Sequence, residues 1–324
     1  KEREGGFSRR EFLRSALTGT AALLFGCGSP ETPGLDGRID SGIPLPQAPP
    51  LADSVSSAER SALAYGFLKS RMDPDTGLIE SFYGLRLNDT SYRRSYIFTA
   101  GQAIGAFLIS GGAADRERAT TIGNSFIALQ DSAGSGFEAY DVRSGEITAY
   151  GQKIGPVSVL GRALTDLYQA TGDARYLGSA QKAARWMIQK RWRESGGKGY
   201  FLYNDTDAAV STEENSRALI FALYLYQYAD DGNNADYLSK ATLIKEWLTK
   251  DMWKGPAWPY FEVGLGATGS LNIASAERSD AQYMPLLAFA KGNEFGAWNV
   301  NLADYDGLSW LENYRVSVRY NGRD

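Results

Sequence analysis

The feature that most constrains this chain is an internal repeat. At an offset of 61 residues, Asp173-Ala174-Arg175-Tyr176-Leu177-Gly178-Ser179-Ala180 aligns with Asn234-Ala235-Asp236-Tyr237-Leu238-Ser239-Lys240-Ala241, and Trp186 and Trp192 align with Trp247 and Trp253. A unit of that length holds one helical hairpin, which cannot bury its apolar face alone and must stack on its neighbours. Amphipathic periodicity read outwards from the repeat predicts helices near 54–71, 99–110, 114–130, 156–170, 173–192, 212–229, 234–253 and 280–290.

The predicted connections alternate in length. Gly111-Gly112-Ala113, Thr171-Gly172 and Asp230-Asp231-Gly232-Asn233 are short turns, whereas 72–98, 131–155, 193–211 and 254–279 are long loops. Stacked hairpins place all the short turns on one face and all the long loops on the other, and loops that long in a compact domain usually carry function. The helices that follow the long loops are rich in small and apolar residues, as in 154–170 and 218–229, so they form the inner layer. Tyr176, Trp186, Trp192, Tyr237, Trp247 and Trp253 recur at matching repeat positions and read as packing between helices.

Composition narrows the chemistry. The 324 residues carry 34 Lys+Arg against 38 Asp+Glu, and this net charge of −4 offers no basic excess for nucleic acid. The chain has no histidine and one cysteine, Cys27. That leaves out Ser-His-Asp and Cys-His catalysis, histidine-ligated zinc and a disulfide within the chain, and it leaves Asp, Glu, Tyr and Lys for proton transfer. No spacing calls for a metal or another cofactor. Asp73-Pro74-Asp75-Thr76-Gly77 has the faint outline of a calcium loop but lacks further oxygen ligands at regular spacing, so it reads as a turn.

Ser8-Arg9-Arg10-Glu11-Phe12-Leu13-Arg14, followed by the mildly apolar stretch 16–26, resembles a twin-arginine signal peptide, with Arg9 and Arg10 as the export signal. Leu24-Phe25-Gly26-Cys27 resembles a lipobox, with Cys27 as the lipidated residue. The expected organisation is a signal peptide over 1–26, the lipidated cysteine and a Pro/Gly/Ser-rich tether over 27–53, and a folded domain over 54–324. The implied location is the bacterial cell envelope, reached in the folded state through the twin-arginine machinery and held at the membrane by the lipid on Cys27.

The helical part resembles the six-hairpin glycosidase superfamily, the (α/α)6 toroids. The resemblance is carried by Asp75-Thr76-Gly77-Leu78, Gly155-Pro156, Thr171 to Leu177, Ser211-Thr212-Glu213-Glu214-Asn215 and Ser279-Asp280-Ala281-Gln282. It implies an all-α fold of helical hairpins with a loop-lined cleft at the N-terminal ends of the inner helices. About four hairpins are visible where a closed ring needs six, so the ring is expected to be incomplete towards the C-terminus. Phe98-Thr99-Ala100-Gly101-Gln102-Ala103 departs from the superfamily pattern, having Ala-Gly where a Tyr-Asp pair often stands. Toroid sugar epimerases and many toroid lyases depend on a histidine that this chain cannot supply.

The resemblance implies a surface-tethered protein acting on oligosaccharides, with hydrolysis by two carboxyl groups as its chemistry. Candidates on the long-loop face are Glu213, Asp280 and Asp89, and Glu214 reads as the reciprocal partner of a Ser211 capping box. Sugar rings stack on aromatic faces while their hydroxyls meet amides and carboxylates, which nominates Tyr83, Tyr96, Tyr140, Tyr203, Asn215, Trp258 and Tyr260 for substrate binding. Two alternatives remain open: a glycan-binding or envelope-assembly lipoprotein without turnover, and a helical-repeat scaffold for another protein.

Overall fold

The computed structural model describes residues 57–81, 94–203, 209–229, 231–258, 260–265 and 279–305. The segments that resemble a lipobox and a twin-arginine signal, together with Tyr83 and Asp89, lie outside the described residues. One compact unit ends at Arg71 and the next begins at Met72. Helix α1 (Ser57–Ser70) belongs to the first, where Lys69 Nζ sits 4.1 Å from the centre of the Tyr65 ring one turn away.

The second unit is built from hairpins of inner and outer helices. Inner helices are α2 (Ile97–Ser110), α4 (Ile154–Thr171), α6 (Thr212–Tyr228) and α8 (Ser279–Glu294). Outer helices are α3 (Ala113–Leu129), α5 (Ala174–Arg191) and α7 (Asn234–Trp247), the last continued by a π turn over Leu248–Met252. The inner helices pack in the row α2, α4, α6, α8, and α3, α5 and α7 each pack on the inner helix before them. Where neighbours in the row touch, small residues permit close approach. A side chain at Gly161 would begin 2.4 Å from the Phe221 ring, and one at Gly101 would meet the Val159 backbone at 2.9 Å.

The short turns form as their sequences require. Gly111 and Gly172 follow α2 and α4 with φ of 74° each, the left-handed conformation that ends a helix at least cost with glycine. Asp173 then caps α5 by accepting from Arg175 N at 3.0 Å. Repeat residues Tyr176, Trp186, Tyr237 and Trp247 are buried, as the 61-residue match predicts.

The long loops hold more structure than their sequence advertises. Each contains short strands or an isolated bridge. Strands β1 (Arg94–Tyr96), β2 (Ala139–Asp141) and β3 (Ile147–Ala149) form one antiparallel sheet. Strands β4 (Trp192–Ser195) and β5 (Lys198–Phe201) form a hairpin around Gly196-Gly197. Strand β6 (Val210–Ser211) pairs with β7 (Gly264–Leu265), and isolated bridges join Met72 to Ile79 and Trp253 to Phe261. Strands of two to four residues carry too few alternations to stand out in a sequence.

Two of these turns repeat a single device. In Asp73-Pro74-Asp75-Thr76-Gly77, Asp73 Oδ1 accepts from the backbone N–H of Asp75 and Thr76, each at 3.0 Å. In Asp141-Val142-Arg143-Ser144-Gly145, Asp141 Oδ1 accepts from Arg143 N at 2.9 Å and Ser144 N at 3.0 Å. The segment with the calcium-like outline is thus an Asx-turn whose carboxylate is engaged by its own backbone.

The inner helices are stitched at their N-termini. Ile97 N, first in α2, donates to Glu138 O at 3.2 Å; Ile154 N, first in α4, donates to Tyr203 O at 3.4 Å; and Thr212 N, first in α6, donates to Val263 O at 2.9 Å. Each bond satisfies an N–H that a helix leaves orphaned, and the acceptor comes from the loop of the next repeat. Among the described residues no helix is long and apolar enough to cross a membrane.

Candidate active site

This stitching brings Glu138 and Tyr203 to equivalent positions over the starts of α2 and α4. Between them lies Lys153, immediately before α4. Its Nζ is 2.9 Å from Glu138 Oε1 and 5.4 Å from the centre of the Tyr203 ring. Burial works against the lysine charge, but Glu138 and Tyr203 together outweigh it, and Lys153 is held above its ordinary value.

Helix α6 supplies the next group. Ser211 accepts from Glu214 N at 3.3 Å, which is half of the capping box anticipated for this segment. The other half does not form. The Glu214 carboxyl reaches instead to α4, where Oε2 accepts from Gly155 N at 3.1 Å. Helix α4 has no side-chain cap of its own at Lys153, so Glu214 caps it from the neighbouring helix. Only glycine allows this approach, because a Cβ at 155 would lie 2.7 Å from the Glu214 carboxyl carbon.

Glu214 is therefore wedged between two helices, and its acidity follows. Burial first, then the charge of Glu213, push its pKa up to about 8, against the opposing pull of the Gly155 N–H, Arg217 and Lys153. The carboxyl is protonated at neutral pH. Burial and the nearness of Glu214 also raise the Tyr203 phenol, more than Lys153 lowers it.

Glu213 turns the other way. Its Oε1 accepts from Arg217 Nη2 at 2.5 Å and Nε at 3.0 Å, with both side chains mostly out of water. The Arg217 guanidinium lies 4.7 Å from the ring centre of Phe98, the second residue of α2. Adjacent glutamates thus have opposite environments: one is paired with a buried cation, and the other is protonated against a helix end.

The remaining nominated residues separate. Tyr96 is half-buried at the N-cap of α2, with its backbone N–H donating to Ser81 Oγ at 2.8 Å. Trp258 is 67% exposed on the segment between Trp253 and Phe261, and Tyr260 is half-buried there. Asp280 is the second residue of α8; its side chain lies outside the described residues.

Two nominations for substrate contact are corrected. Tyr140 is 1% exposed, its hydroxyl accepts from Phe137 N at 2.9 Å, and its ring packs edge-on to Phe126 at 5.8 Å, so it is a core residue. Asn215 is completely buried, with Oδ1 accepting from Phe201 N at 2.7 Å and Nδ2 donating to Phe201 O at 3.0 Å. The same clamp recurs one repeat later, where Gln282 bonds both the N–H and the C=O of Phe261 at 2.7 Å. These amides tie the loop backbone to helix starts and, at 0% exposure, present no surface to a sugar.

Lys153, Glu138 and Arg217 were not singled out by the sequence reading. A lysine just before Gly155-Pro156 was a usable signal for the first and the four-residue spacing from Glu213 for Arg217, whereas Glu138 had none short of the three-dimensional pairing. Among the described residues no group of three or more Asp, Glu, Cys or His is placed to hold a metal ion.

With the geometry in place, comparison with solved structures is decisive for the fold. An unsaturated glucuronyl hydrolase specific for heparin matches with a TM-score of 0.58 at 14% identity, over 75% of this chain and 70% of that one. The endoglucanase Cel10, a family 8 glycosyl hydrolase from Klebsiella pneumoniae, matches with a TM-score of 0.53 at 15% identity, over 78% and 79%. The chain has a helical-hairpin fold of the (α/α)6 toroid class. It spans only 57% of a third neighbour, the unsaturated glucuronyl hydrolase from Bacillus sp. GL1, which has a TM-score of 0.51 at 12% identity and covers 61% of this chain. No family model and no curated protein matches the chain. The neighbours of this toroid are six-hairpin glycosidase-like enzymes, and at these identities they establish the architecture alone.

Proposed function

We propose that this toroid is a glycoside hydrolase acting on oligosaccharides, with Glu214 as the proton donor to the leaving oxygen. The observation that carries the reading is the contrast between Glu214 and Glu213 at the N-terminus of α6. Glycoside hydrolysis needs one carboxyl group that keeps its proton at working pH and one that stays ionised. Glu214, pushed up to about 8, meets the first requirement, and Glu213, paired with Arg217, meets the second. A chain without histidine has no competing group with an ordinary pKa between 5 and 7. The glycosidases among the structural neighbours support the substrate class.

The test is turnover of a panel of end-labelled oligosaccharides by the purified chain and by Glu214→Gln. General acid catalysis contributes roughly 10²- to 10⁴-fold, so the amide should lose at least 10²-fold in kcat while still binding. Full activity in that variant would refute the assignment.

A second reading has its own observation. Glu214 already accepts the Gly155 N–H and supplies the cap that α4 lacks. If this is its whole task, the protein binds glycans without cleaving them, and Glu214→Gln leaves affinity unchanged with no product from either form.

We further propose that the protein works at the cell envelope, exported through Arg9-Arg10 and anchored by lipid on Cys27. Cys27→Ser should release it from the membrane fraction; retention of that variant on the membrane would count against the anchor.

A further inference from the structure

Beside the Glu214 centre lies an aromatic side chain that the proposed chemistry does not use. Tyr150 is 73% exposed and follows directly on β3. Its described ring contact is Phe137, at 5.8 Å between centres and 72° between planes. Such an edge-to-face contact supports a ring without covering both of its faces.

The support is anchored. Phe137 N donates to the buried Tyr140 hydroxyl at 2.9 Å, and the following residue, Glu138, donates its N–H to Gly151 O at 2.7 Å. The backbone on either side of the Tyr150–Phe137 pair is thus fixed before any ligand arrives, which reduces the ordering cost of binding.

Polar groups lie at the edge of this platform. Gly151 has no side chain, and a Cβ there would stand 2.7 Å from Glu138 Oε2, so that carboxylate lies against the backbone next to Tyr150. The other Glu138 oxygen holds Lys153, which in turn faces Tyr203. An open aromatic face, then an acceptor and a donor, then the protonated Glu214 follow one another across the starts of α2, α4 and α6. A pyranose ring has the matching division, with an apolar C–H face and a rim of hydroxyls.

We propose that Tyr150, backed by Phe137, is a stacking platform for a sugar ring adjoining the Glu214 centre, with Glu138 and Lys153 bonding that ring's hydroxyls. The chain therefore prefers saccharides long enough to reach both places. This inference rests on the carbohydrate reading above and adds to it the residue that selects for length.

The experiment is calorimetric titration of a series of saccharides of increasing length into Glu214→Gln, and into the same protein carrying Tyr150→Ala or Tyr150→Phe, with turnover measured in parallel for wild type and Tyr150→Ala. Tyr150 is exposed, so each Tyr150 variant should share the melting temperature of its own parent. Tyr150→Ala should weaken the longer saccharides by roughly two- to tenfold and spare the shortest that binds. Tyr150→Phe, which keeps the ring, should match its parent. No loss in the alanine variant, an equal loss at every length, or an equal loss in the phenylalanine variant overturns the platform. So does a change in self-association by sedimentation without a change in saccharide affinity.

The two readings fail differently. Cleavage by wild type with no effect of Tyr150→Ala removes the platform and leaves the hydrolase. Length-dependent binding without cleavage removes the hydrolase and leaves the platform. Binding of no saccharide removes both.

Discussion

The protonated state of Glu214 predicts a pH dependence of stability that few proteins would show so cleanly. In the unfolded chain a glutamate titrates near an ordinary ~4.3, whereas in the fold burial and Glu213 push Glu214 up to about 8. The folded pKa is the higher one, so the native state binds the proton more tightly. Its contribution is fully present below the unfolded value and is lost as pH rises through the folded value. Between those limits the folded form carries one more proton than the unfolded form, and stability should fall by about 1.4 kcal/mol per pH unit. From pH 5.5 to 7.5 the loss is about 2.7 kcal/mol, a large share of the 5–15 kcal/mol that holds a typical domain together.

The zero-histidine composition makes this measurable. In most proteins histidines dominate that interval; here no side chain has an ordinary pKa within it. The assay is urea unfolding of wild type and Glu214→Gln at half-unit steps from pH 5 to 9. The amide can still accept from Gly155 N but cannot ionise, so its profile should be flat where the wild type slopes, and the two should diverge with rising pH. Parallel profiles would show that Glu214 titrates alike in folded and unfolded chains, and the acid role built on it would fall as well.

Other substitutions test the frame around the site. Gly155→Ala should force the Glu214 carboxyl off the α4 terminus, abolishing the slope and the activity together, because its Cβ would arrive 2.7 Å from the carboxyl carbon; a pH profile like that of wild type would contradict this. Asn215→Ala should cost about 2–4 kcal/mol in urea unfolding, since it strands the buried N–H and C=O of Phe201. Ser211→Ala should cost about 1 kcal/mol through loss of the α6 cap, with little effect on saccharide affinity. Gly161→Ala should destabilise by about 1–3 kcal/mol, because the added methyl meets the Phe221 ring, and a stabilised variant would show that the row of inner helices has slack.

The helical frame was legible in the sequence because it rests on periodicity. The stretch expected at 156–170 is Ile154–Thr171, and that expected at 212–229 is Thr212–Tyr228. The 61-residue match found the outer helices, and the continuous runs of small residues found the inner ones. The site was legible only in part. Glu213 and Glu214 stood out in the sequence, and Arg217 lies four residues after Glu213 on the same helix, but the contact of Glu214 with Gly155 joins two helices that spacing does not bring together. Asn215 and Tyr140 were misread for a shared reason. A polar tip at a loop or a helix start looks available for ligand until its backbone partner is known, and Phe201 and Phe137 supply those partners through folding. The short hairpins were missed because pairing across two to four residues leaves no pattern.

The bonds from Ile97 to Glu138, Ile154 to Tyr203 and Thr212 to Val263 all run from an earlier repeat to a later one. Assembly along this chain consequently has a direction. A helix start is completed only when the following loop arrives, so during synthesis each hairpin waits on its successor, and the surroundings of Glu214 are complete only after residues from 138 to 214 have docked. Fraying should travel the opposite way: release of a later loop uncaps the helix before it. In amide exchange, protection at the N-termini of the inner helices should therefore be lost as a group in an order set by sequence, and a lesion in one repeat should first be felt in the one that precedes it.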